Sequence, residues 1–154
     1  MTTVEERFWA KVDKTDGCWL WTGAKTKAGY GNVMWQGRNW VAHRVSYSLL
    51  VGPVPEGLDL DHTCHNGDQS CAGGLGCPHR CCVNPAHLEP VTRSVNLIRG
   101  KTLIAEQVAK THCPQGHPYD AANTYVTKRG SRQCRICAKA SNAQWYRDHR
   151  VGAG

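Results

Sequence analysis

The sequence predicts a small α+β protein that bound zinc stabilises, and three observations lead to this prediction. The chain has 154 residues, of which 40% are hydrophobic, and its core must rely on six Trp because it has a single Phe. Sixteen Gly and seven Pro indicate a fold rich in loops, and such folds usually need cross-links beyond a small core. Nine Cys and eight His are available for that purpose.

Zinc is a better explanation of these cysteines than disulfide bonds. The N-terminus, "MTTVEERFWAKVDK", contains acids and lacks the apolar segment of a signal peptide. No stretch approaches the roughly 20 apolar residues of a membrane span. We therefore expect a cytoplasmic protein with no membrane partner, in which Cys interleaved with His binds zinc.

The positive charge is concentrated in the C-terminal third of the chain. The formal net charge is +7. Residues 100–154 contain nine Lys and Arg against three Asp and Glu, whereas residues 1–99 contain ten against nine. A basic tail beside a near-neutral body suggests a nucleic-acid partner, although charge alone leaves a solvated surface equally open.

The N-terminal half predicts a helix, a strand, a hairpin and a second helix. Val4, Phe8 and Val12 have the spacing of one face of a short helix, and "CWLWTG" alternates like a strand. The stretch "GYGNVMWQGRNWVAH" predicts a hairpin that turns at Gln36-Gly37. Residues 43–51 then predict a helix that stops at a Gly-Pro pair.

The second half begins with a short strand over residues 58–62, "LDLDH". Residues 63–86 are too rich in Gly, Cys and Pro for regular structure, and residues 87–91 predict a returning strand. Thr92 is a suitable N-cap for a helix that Gly100 ends. A linker over 101–112 and a closing basic helix over 138–150 complete the prediction.

The last group of metal ligands has the clearest spacing. Cys113 and His117 form C-x3-H, and Cys134 and Cys137 form C-x2-C, with 16 residues between the two pairs. Two close pairs separated by a hairpin-sized loop are what a tetrahedral zinc site requires. These four residues therefore predict a structural zinc site.

The middle of the chain offers more ligands than one site can use. Between Cys64 and His87 there are six further Cys and His, and Cys18 lies upstream. This number implies two sites and a spare ligand. The six are His65, Cys71, Cys77, His79, Cys81 and Cys82.

Three stretches of this region resemble the HNH, or ββα-metal, endonucleases. These stretches are "DHTC", "CVNPAHL" and "VTRSVN". The subgroup they resemble most is the zinc-stabilised type, which is related to the His-Cys box homing enzymes and common in phage genomes. "GCWLWTGA", "GYG" and "AHR" also resemble this subgroup, and the "CPQGHPY…RQCRIC" tail resembles the zinc ribbon that many members carry. The resemblance covers residues 7–150.

The resemblance implies that some residues of "DHTCHN" are catalytic while others bind zinc. Asp61 matches the first ligand of a catalytic Mg²⁺ or Mn²⁺, and Asn96 matches the second. His62 matches the general base. His87, nine residues before Asn96, has the place of a zinc-binding His in the His-Cys box relatives.

The resemblance also assigns the central zinc ligands. Zinc site one is Cys18, Cys64, Cys82 and His87. Zinc site two lies in the 65–81 insertion and is assigned to His65, Cys71, Cys77 and His79. Cys81 stays open as a replacement for His65 or His79, so about three structural zinc ions are expected per chain.

The residue types agree with this division. Asp and Asn offer the oxygen ligands that suit Mg²⁺ or Mn²⁺, whereas soft thiolates select zinc. Phosphodiester hydrolysis needs a base that works near neutral pH, and imidazole fits. It also needs a cation that stabilises the phosphorane charge and the leaving 3′ oxygen.

Ten basic side chains are candidates for contacts with DNA. For the two in "AHR", the first interpretation is a packed His and an Arg that supports the core, and contact with phosphate is the alternative. Two others follow the strand predicted over residues 87–91, and the remaining six lie in the basic tail. The ten are His43, Arg44, Arg93, Arg99, Lys128, Arg129, Arg132, Arg135, Arg147 and Arg150.

The expected function is a metal-dependent DNA endonuclease that leaves 5′-phosphate and 3′-hydroxyl ends in the cytoplasm of a phage-infected bacterium. Residues 1–100 would form the nuclease domain, 101–112 the linker, and 113–154 the zinc ribbon with its basic helix. The alternative is a non-catalytic zinc-finger protein that binds nucleic acid. A monomer would nick DNA and a symmetric homodimer could cut both strands, and both states stay open.

Overall fold

The computed structural model describes residues 2–150 and has the predicted α+β class. Its chain separates into two compact units, Met1–Ala105 and Glu106–Gly154. The division falls inside the segment predicted as a linker. Within the described residues, the strands form four separate two-stranded antiparallel sheets.

The first helix, α1 (Val4–Trp9), begins at a capping box. Thr3 Oγ1 accepts a hydrogen bond from the Glu6 amide at 3.1 Å, and Glu6 Oε2 accepts one from the Thr3 amide at 2.7 Å. The helix is shorter than its apolar spacing predicts, because Val12 begins strand β1 (Val12–Lys14). β1 pairs with β2 (Trp19–Trp21), as strand-like alternation predicts for β2.

A tight hairpin follows, with β3 (Asn32–Trp35) paired to β4 (Arg38–Val41). Its two turn residues, Gln36 and Gly37, have φ values of 49° and 75°. Positive φ at both positions is the signature of the two-residue turn that matches strand twist. The predicted hairpin is confirmed, and helix α2 (Ala42–Leu50) follows it directly.

The hydrophobic core of the first unit is built around aromatic rings. The ring of Phe8 lies 4.9 Å from that of Trp9, 5.1 Å from that of Trp21 and 6.1 Å from that of Trp35, measured between centroids. The buried core residues that pack together are Phe8, Trp21, Ala42, Val45, Cys81 and Val83. The core therefore joins α1, β2 and α2 to the cysteine-rich segment.

The second hairpin pairs β5 (Leu58–His62) with β6 (Leu88–Thr92), and helix α4 (Arg93–Arg99) follows it. Thr92 Oγ1 accepts a hydrogen bond from the Val95 amide at 3.3 Å, which confirms the predicted N-cap. Gly100 ends the helix and donates its amide to the Asn96 carbonyl at 3.0 Å. Two strands and one helix therefore form a continuous ββα unit.

The segments predicted to be irregular contain short helices. The connection between β5 and β6 begins with α3 (Thr63–Gly67) and includes the 3-10 turns Pro78–Cys81 and Pro85–His87. Helix α5 (Leu103–Ala109) lies within the predicted linker. Thr102 caps α5, since its Oγ1 accepts from the Ala105 amide at 3.1 Å.

The second unit contains a hairpin of β7 (Thr124–Val126) and β8 (Arg132–Cys134), followed by α6 (Arg135–Arg150). α6 begins three residues before the predicted 138, so it includes Cys137 in its first turn. None of the helices in the described part of the chain has the length and apolar composition to cross a membrane.

Gly31 tests how tightly the core is packed. A Cβ at this position would lie 2.7 Å from Trp21 Cδ1 and 2.9 Å from Ala42 Cβ, and both residues are buried. Gly31→Ala should therefore lower the free energy of unfolding by about 1–3 kcal/mol, the usual cost of overpacking, as measured by urea denaturation. Gly67→Ala is the control, because nothing lies within 4 Å of its added Cβ. Equal stability of the two variants would contradict this packing.

Candidate metal centres and catalytic cleft

The structure brings the ligands of all three predicted zinc sites together. In each cluster, the four candidate ligand atoms lie within 4.8 Å of one another, so each cluster could hold a metal ion. All nine cysteines are free thiols. The clusters are Cys18, Cys64, Cys82 and His87 (cluster one); His65, Cys71, Cys77 and His79 (cluster two); and Cys113, His117, Cys134 and Cys137 (cluster three).

The distances within the clusters fit tetrahedral zinc. Bonds of about 2.3 Å to sulfur and about 2.0–2.1 Å to nitrogen give tetrahedron edges of roughly 3.5–3.8 Å. In cluster one, His87 Nδ1 lies 3.6 Å from Cys18 Sγ and 3.6 Å from Cys82 Sγ. In cluster three, Cys113 Sγ lies 3.5 Å from His117 Nδ1 and 3.7 Å from Cys137 Sγ.

Cluster two has the same dimensions without Cys81. Cys77 Sγ lies 3.5 Å from His65 Nδ1, 3.6 Å from His79 Nδ1 and 3.6 Å from Cys71 Sγ. The thiol of Cys81 instead lies 3.4 Å from the Gly29 carbonyl and belongs to the hydrophobic core. Cys81 is therefore the spare cysteine, and both histidines belong to the cluster.

Electrostatics in cluster one favour a cation. A side-chain interaction with Cys82, together with burial, raises the pKa of the Cys64 thiol. The same interaction lowers the pKa of Cys82 to about 4. Close thiols thus resist ionising together, and a divalent ion at their centre would remove the repulsion between the thiolates.

The predicted catalytic residues lie outside these clusters, in a cleft of about 300 Å³. Asp61 and His62 are buried at the end of β5, with 5% and 8% of their surfaces exposed. Asn96, on α4, also lines the cleft, and its side chain is half-buried. Because β5 pairs with β6 and α4 follows β6 directly, the ββα unit brings all three side chains to one cavity.

A backbone carbonyl fixes the orientation of His62. His62 Nε2 lies 3.1 Å from the Cys82 carbonyl oxygen, which can only accept a hydrogen bond. Nε2 therefore carries the proton of the neutral ring, and Nδ1 is the basic nitrogen. The ring of His43 packs edge-on against that of His62, with the two centroids 4.8 Å apart, and this contact restricts the His62 ring.

Burial keeps both imidazoles neutral. It lowers the pKa of His62, while the hydrogen bond to the Cys82 carbonyl acts in the opposite direction. Burial and the neighbouring His62 also lower the pKa of His43 to about 3. A neutral His62 has the free electron pair that a general base needs.

Asp61 is held by two partners on one of its oxygens. Asn66 Nδ2 donates to Asp61 Oδ2 at 2.7 Å, and Arg99 Nη1 lies 3.6 Å from the same oxygen. Glu89 in turn holds Arg99 through a hydrogen bond. Oδ1 has no hydrogen-bond partner within residues 2–150, so it is the oxygen that a cation in the cleft would meet.

The candidate DNA contacts of the first unit have different surroundings. His43 is 7% exposed and lies beneath His62, so it is a packed side chain and not a surface contact. Arg44 is half-buried on α2. Arg93 is exposed at the cleft, 3.9 Å from Asp59, whereas Arg99 is engaged with Asp61 and Glu89.

In the second unit, three of the candidate contacts have structural partners. The guanidinium of Arg132 lies 4.7 Å from the ring centroid of Tyr119 and donates to carbonyls at the end of α5. The guanidinium of Arg135 lies 5.8 Å from the centroid of Tyr125. Arg147, which is exposed on α6, donates to Gln144 Oε1 at 2.6 Å. The three other candidates are also exposed: Lys128 and Arg129 in the β7–β8 turn, and Arg150 on α6.

Several residues that line the cleft were missed by sequence reasoning, and they include four with polar or charged side chains that could act there: Tyr30, Asn66, Arg80 and Lys101. Arg80 lies beside His79 in the predicted zinc insertion, so its position next to a ligand was the available signal. Lys101 Nζ donates to the carbonyls of Asp68 and Cys71, which ties the insertion to the end of α4.

Comparison with known proteins gives a partial similarity to a phage protein. Over 51 residues the chain is 37% identical to Protein 7.7 of Escherichia phage T7. The match covers 33% of this chain and 39% of the phage protein, so it spans about two fifths of that relative. No protein-family model matches the chain, and no solved structure matches it significantly.

Metal content tests the three clusters directly. We expect about three zinc ions per chain by elemental analysis, and removal of zinc by a strong chelator should unfold the protein because each cluster closes a loop. Cys71→Ser should lower the zinc content by one, while Cys81→Ser, the control, should retain all three. One zinc or none in a folded chain would contradict the three-site arrangement.

Proposed function

We propose that the chain is a metal-dependent DNA endonuclease of the HNH type. The observation that carries the proposal is the cleft in which Asp61 and His62, both buried, meet Asn96 without taking part in any metal cluster. Asn66 and Arg99 compensate the burial of Asp61, and the Cys82 carbonyl compensates that of His62. These contacts fix an acceptor nitrogen, a carboxylate and an amide at one cleft, the set of groups that metal-assisted hydrolysis needs.

The proposed reaction uses the orientation of each side chain. His62 Nδ1 accepts a proton from a water molecule, which attacks the phosphorus of a phosphodiester while Nε2 donates to the Cys82 carbonyl. Asp61 Oδ1 and the Asn96 amide oxygen would hold Mg²⁺ or Mn²⁺, which suits oxygen ligands. The bound ion would stabilise charge on the phosphorane and on the leaving 3′ oxygen. The P–O3′ bond breaks as the water oxygen bonds to phosphorus, and a solvent water protonates the departing 3′ oxygen. The products therefore carry 5′-phosphate and 3′-hydroxyl ends.

We also propose that zinc occupies the three clusters and that DNA is the substrate. The cluster dimensions and thiolate content support zinc. The +6 balance of residues 100–154 supports a polyanionic partner. The similarity to a T7 protein supports a phage-encoded protein that acts inside the infected bacterium.

A non-catalytic zinc-finger protein that binds nucleic acid is the second candidate. The second unit favours it, because its hairpin and 16-residue helix combine a metal cluster with exposed basic residues. Incubation of supercoiled plasmid with the protein and Mg²⁺ or Mn²⁺, with and without EDTA, separates the two functions. Nicked product indicates a monomer, and linear product formed directly indicates a homodimer.

His62 is the sharpest test of the proposed reaction. His62→Ala should reduce the cleavage rate by about 10²–10⁴-fold, because it removes the general base. Zinc content, folding and DNA affinity should be unchanged, since His62 binds neither zinc nor the catalytic ion. Plasmid cleavage, elemental analysis and fluorescence anisotropy with labelled duplex DNA measure these quantities.

Asp61→Ala and Asn96→Ala provide the matched comparison. Both should lose cleavage and, unlike His62→Ala, should also need a higher Mg²⁺ or Mn²⁺ concentration for any residual activity. If His62→Ala instead lost zinc and unfolded, His62 would be a structural ligand and the proposed mechanism would be wrong.

The exposed turn of the second unit tests the proposed contact with DNA. Lys128 and Arg129 lie in the loop between β7 and β8, where both side chains are exposed. If both contact phosphates, the double variant Lys128→Ala/Arg129→Ala should reduce the slope of log affinity against log salt by about 1.8. Lys14→Ala is the control, because Lys14 Nζ packs over the rings of Trp9 and Trp19 in the other unit. An unchanged slope in the double variant would exclude this turn from the interface.

A further inference from the structure

Three cationic side chains line the cleft, and they differ in their partners. They are Arg80, Arg93 and Lys101. Arg93 lies 3.9 Å from Asp59, with 81% of its side chain exposed, and Lys101 is occupied by carbonyls of the insertion. Arg80 has no carboxylate partner within residues 2–150, so its charge is uncompensated at the cleft.

The guanidinium of Arg80 is held in place by two contacts. Nη1 donates to the Ala28 carbonyl, and the group lies 5.0 Å from the ring centroid of Tyr30. Nε and Nη2 have no acceptor among the described residues. The edge that carries these two nitrogens presents parallel N–H donors, the arrangement that binds two oxygens of one phosphate.

Cluster two fixes the backbone that carries Arg80. Arg80 lies in the 3-10 turn Pro78–Cys81, directly after the cluster ligand His79. On its other side, Cys81 is buried against the Gly29 carbonyl. A metal ion in cluster two would therefore determine where the Arg80 side chain begins.

Tyr30 places Arg80 and His62 against the same aromatic ring. The centroid of Tyr30 lies 6.2 Å from that of His62, and Tyr30 itself lines the cleft. Arg80, Tyr30 and His62 all line the one cleft. A phosphate bound in this cleft would therefore have both the Arg80 guanidinium and the proposed base within the same cavity.

We propose that Arg80 binds a phosphate of the DNA substrate through its Nε and Nη2 edge, and that cluster two positions it for this contact. The inference rests on the proposed nuclease function and adds a substrate contact to the same cleft. Its chemical role is to stabilise negative charge that develops on the phosphoryl oxygens, which proton transfer to His62 does not do. Cluster two is then part of the active site as well as a structural element.

The experiment compares Arg80→Ala, Arg80→Lys and the control Arg38→Ala. Arg38 is exposed on β4 and does not line the cleft, so Arg38→Ala removes one charge from the same unit. Single-turnover cleavage of a labelled duplex should fall about 10²-fold in Arg80→Ala and stay unchanged in Arg38→Ala. Arg80→Lys should keep the charge but cleave almost as slowly as Arg80→Ala, because lysine cannot retain the Ala28 bond and also offer two parallel donors.

DNA binding gives a second measurement that does not depend on cleavage. In a His62→Ala background, Arg80→Ala should reduce the slope of log affinity against log salt by about 0.9, whereas Arg80→Lys and Arg38→Ala should not. Zinc content should be three in every variant. If Arg80→Ala loses zinc, the cleavage rate of zinc-replete Arg80→Lys decides the question.

The outcomes separate the two proposals. If the unmodified protein cleaves DNA and both Arg80 variants match it in rate and salt slope, the role of Arg80 is wrong and the nuclease function stands. If the unmodified protein does not cleave but Arg80→Ala alone reduces the slope, the nuclease function is wrong and the phosphate contact stands. If neither cleavage nor a change of slope is seen, both are wrong.

Discussion

Cys82 is the residue on which the rest of the site depends, because it acts through two groups at once. Its sulfur belongs to cluster one, and its carbonyl oxygen accepts the hydrogen bond that orients His62. The next residue, Val83, donates its amide to the Trp19 carbonyl at 2.8 Å, which ties this segment to β2. Any ion in cluster one would therefore act on the proposed base through a single peptide unit. Cluster one and the orientation of His62 are therefore linked through one residue and one hydrogen bond.

The clusters explain how so irregular a segment can support a defined cleft. The hydrophobic core reaches the cysteine-rich segment only through Cys81 and Val83, and most of residues 63–81 contributes no buried apolar side chain. Ordering such a loop costs conformational entropy that hydrophobic burial does not offset there. Metal ions in the clusters would supply that free energy locally, and Lys101 adds hydrogen bonds from outside the loop. The walls of the cleft would then depend on coordination more than on hydrophobic packing.

Much of the fold and site could be predicted, because the signals were local. The turn at Gln36-Gly37, the N-cap at Thr92 and the three ligand sets all depend on short spacings or on a family resemblance, and the structure confirms the turn, the cap and the grouping of the ligands. Helix α5 was missed because its cap, Thr102, lies in a stretch without strong periodicity. The burial of His43 and the place of Arg80 at the cleft depend on tertiary contacts with elements distant in sequence, and no local pattern encodes these contacts.

Neighbouring residues of the stretch "DHTCHN" lie in different sites, the cleft and the two metal clusters, because the chain passes from a strand to a helix within it. Asp61 meets Asn66 and Arg99 on one side of β5, while His62 meets Cys82 and His43 on the other. This is the alternation that a strand imposes, and both side chains still reach the cleft because β5 ends there. At Thr63 the strand gives way to α3, and the next two ligands, Cys64 and His65, join clusters one and two. A shift of one residue in one direction would put Thr63 in the place of His62, and a shift in the other would put it in the place of Cys64. The separation of the cleft residues from the cluster ligands therefore depends on where β5 ends.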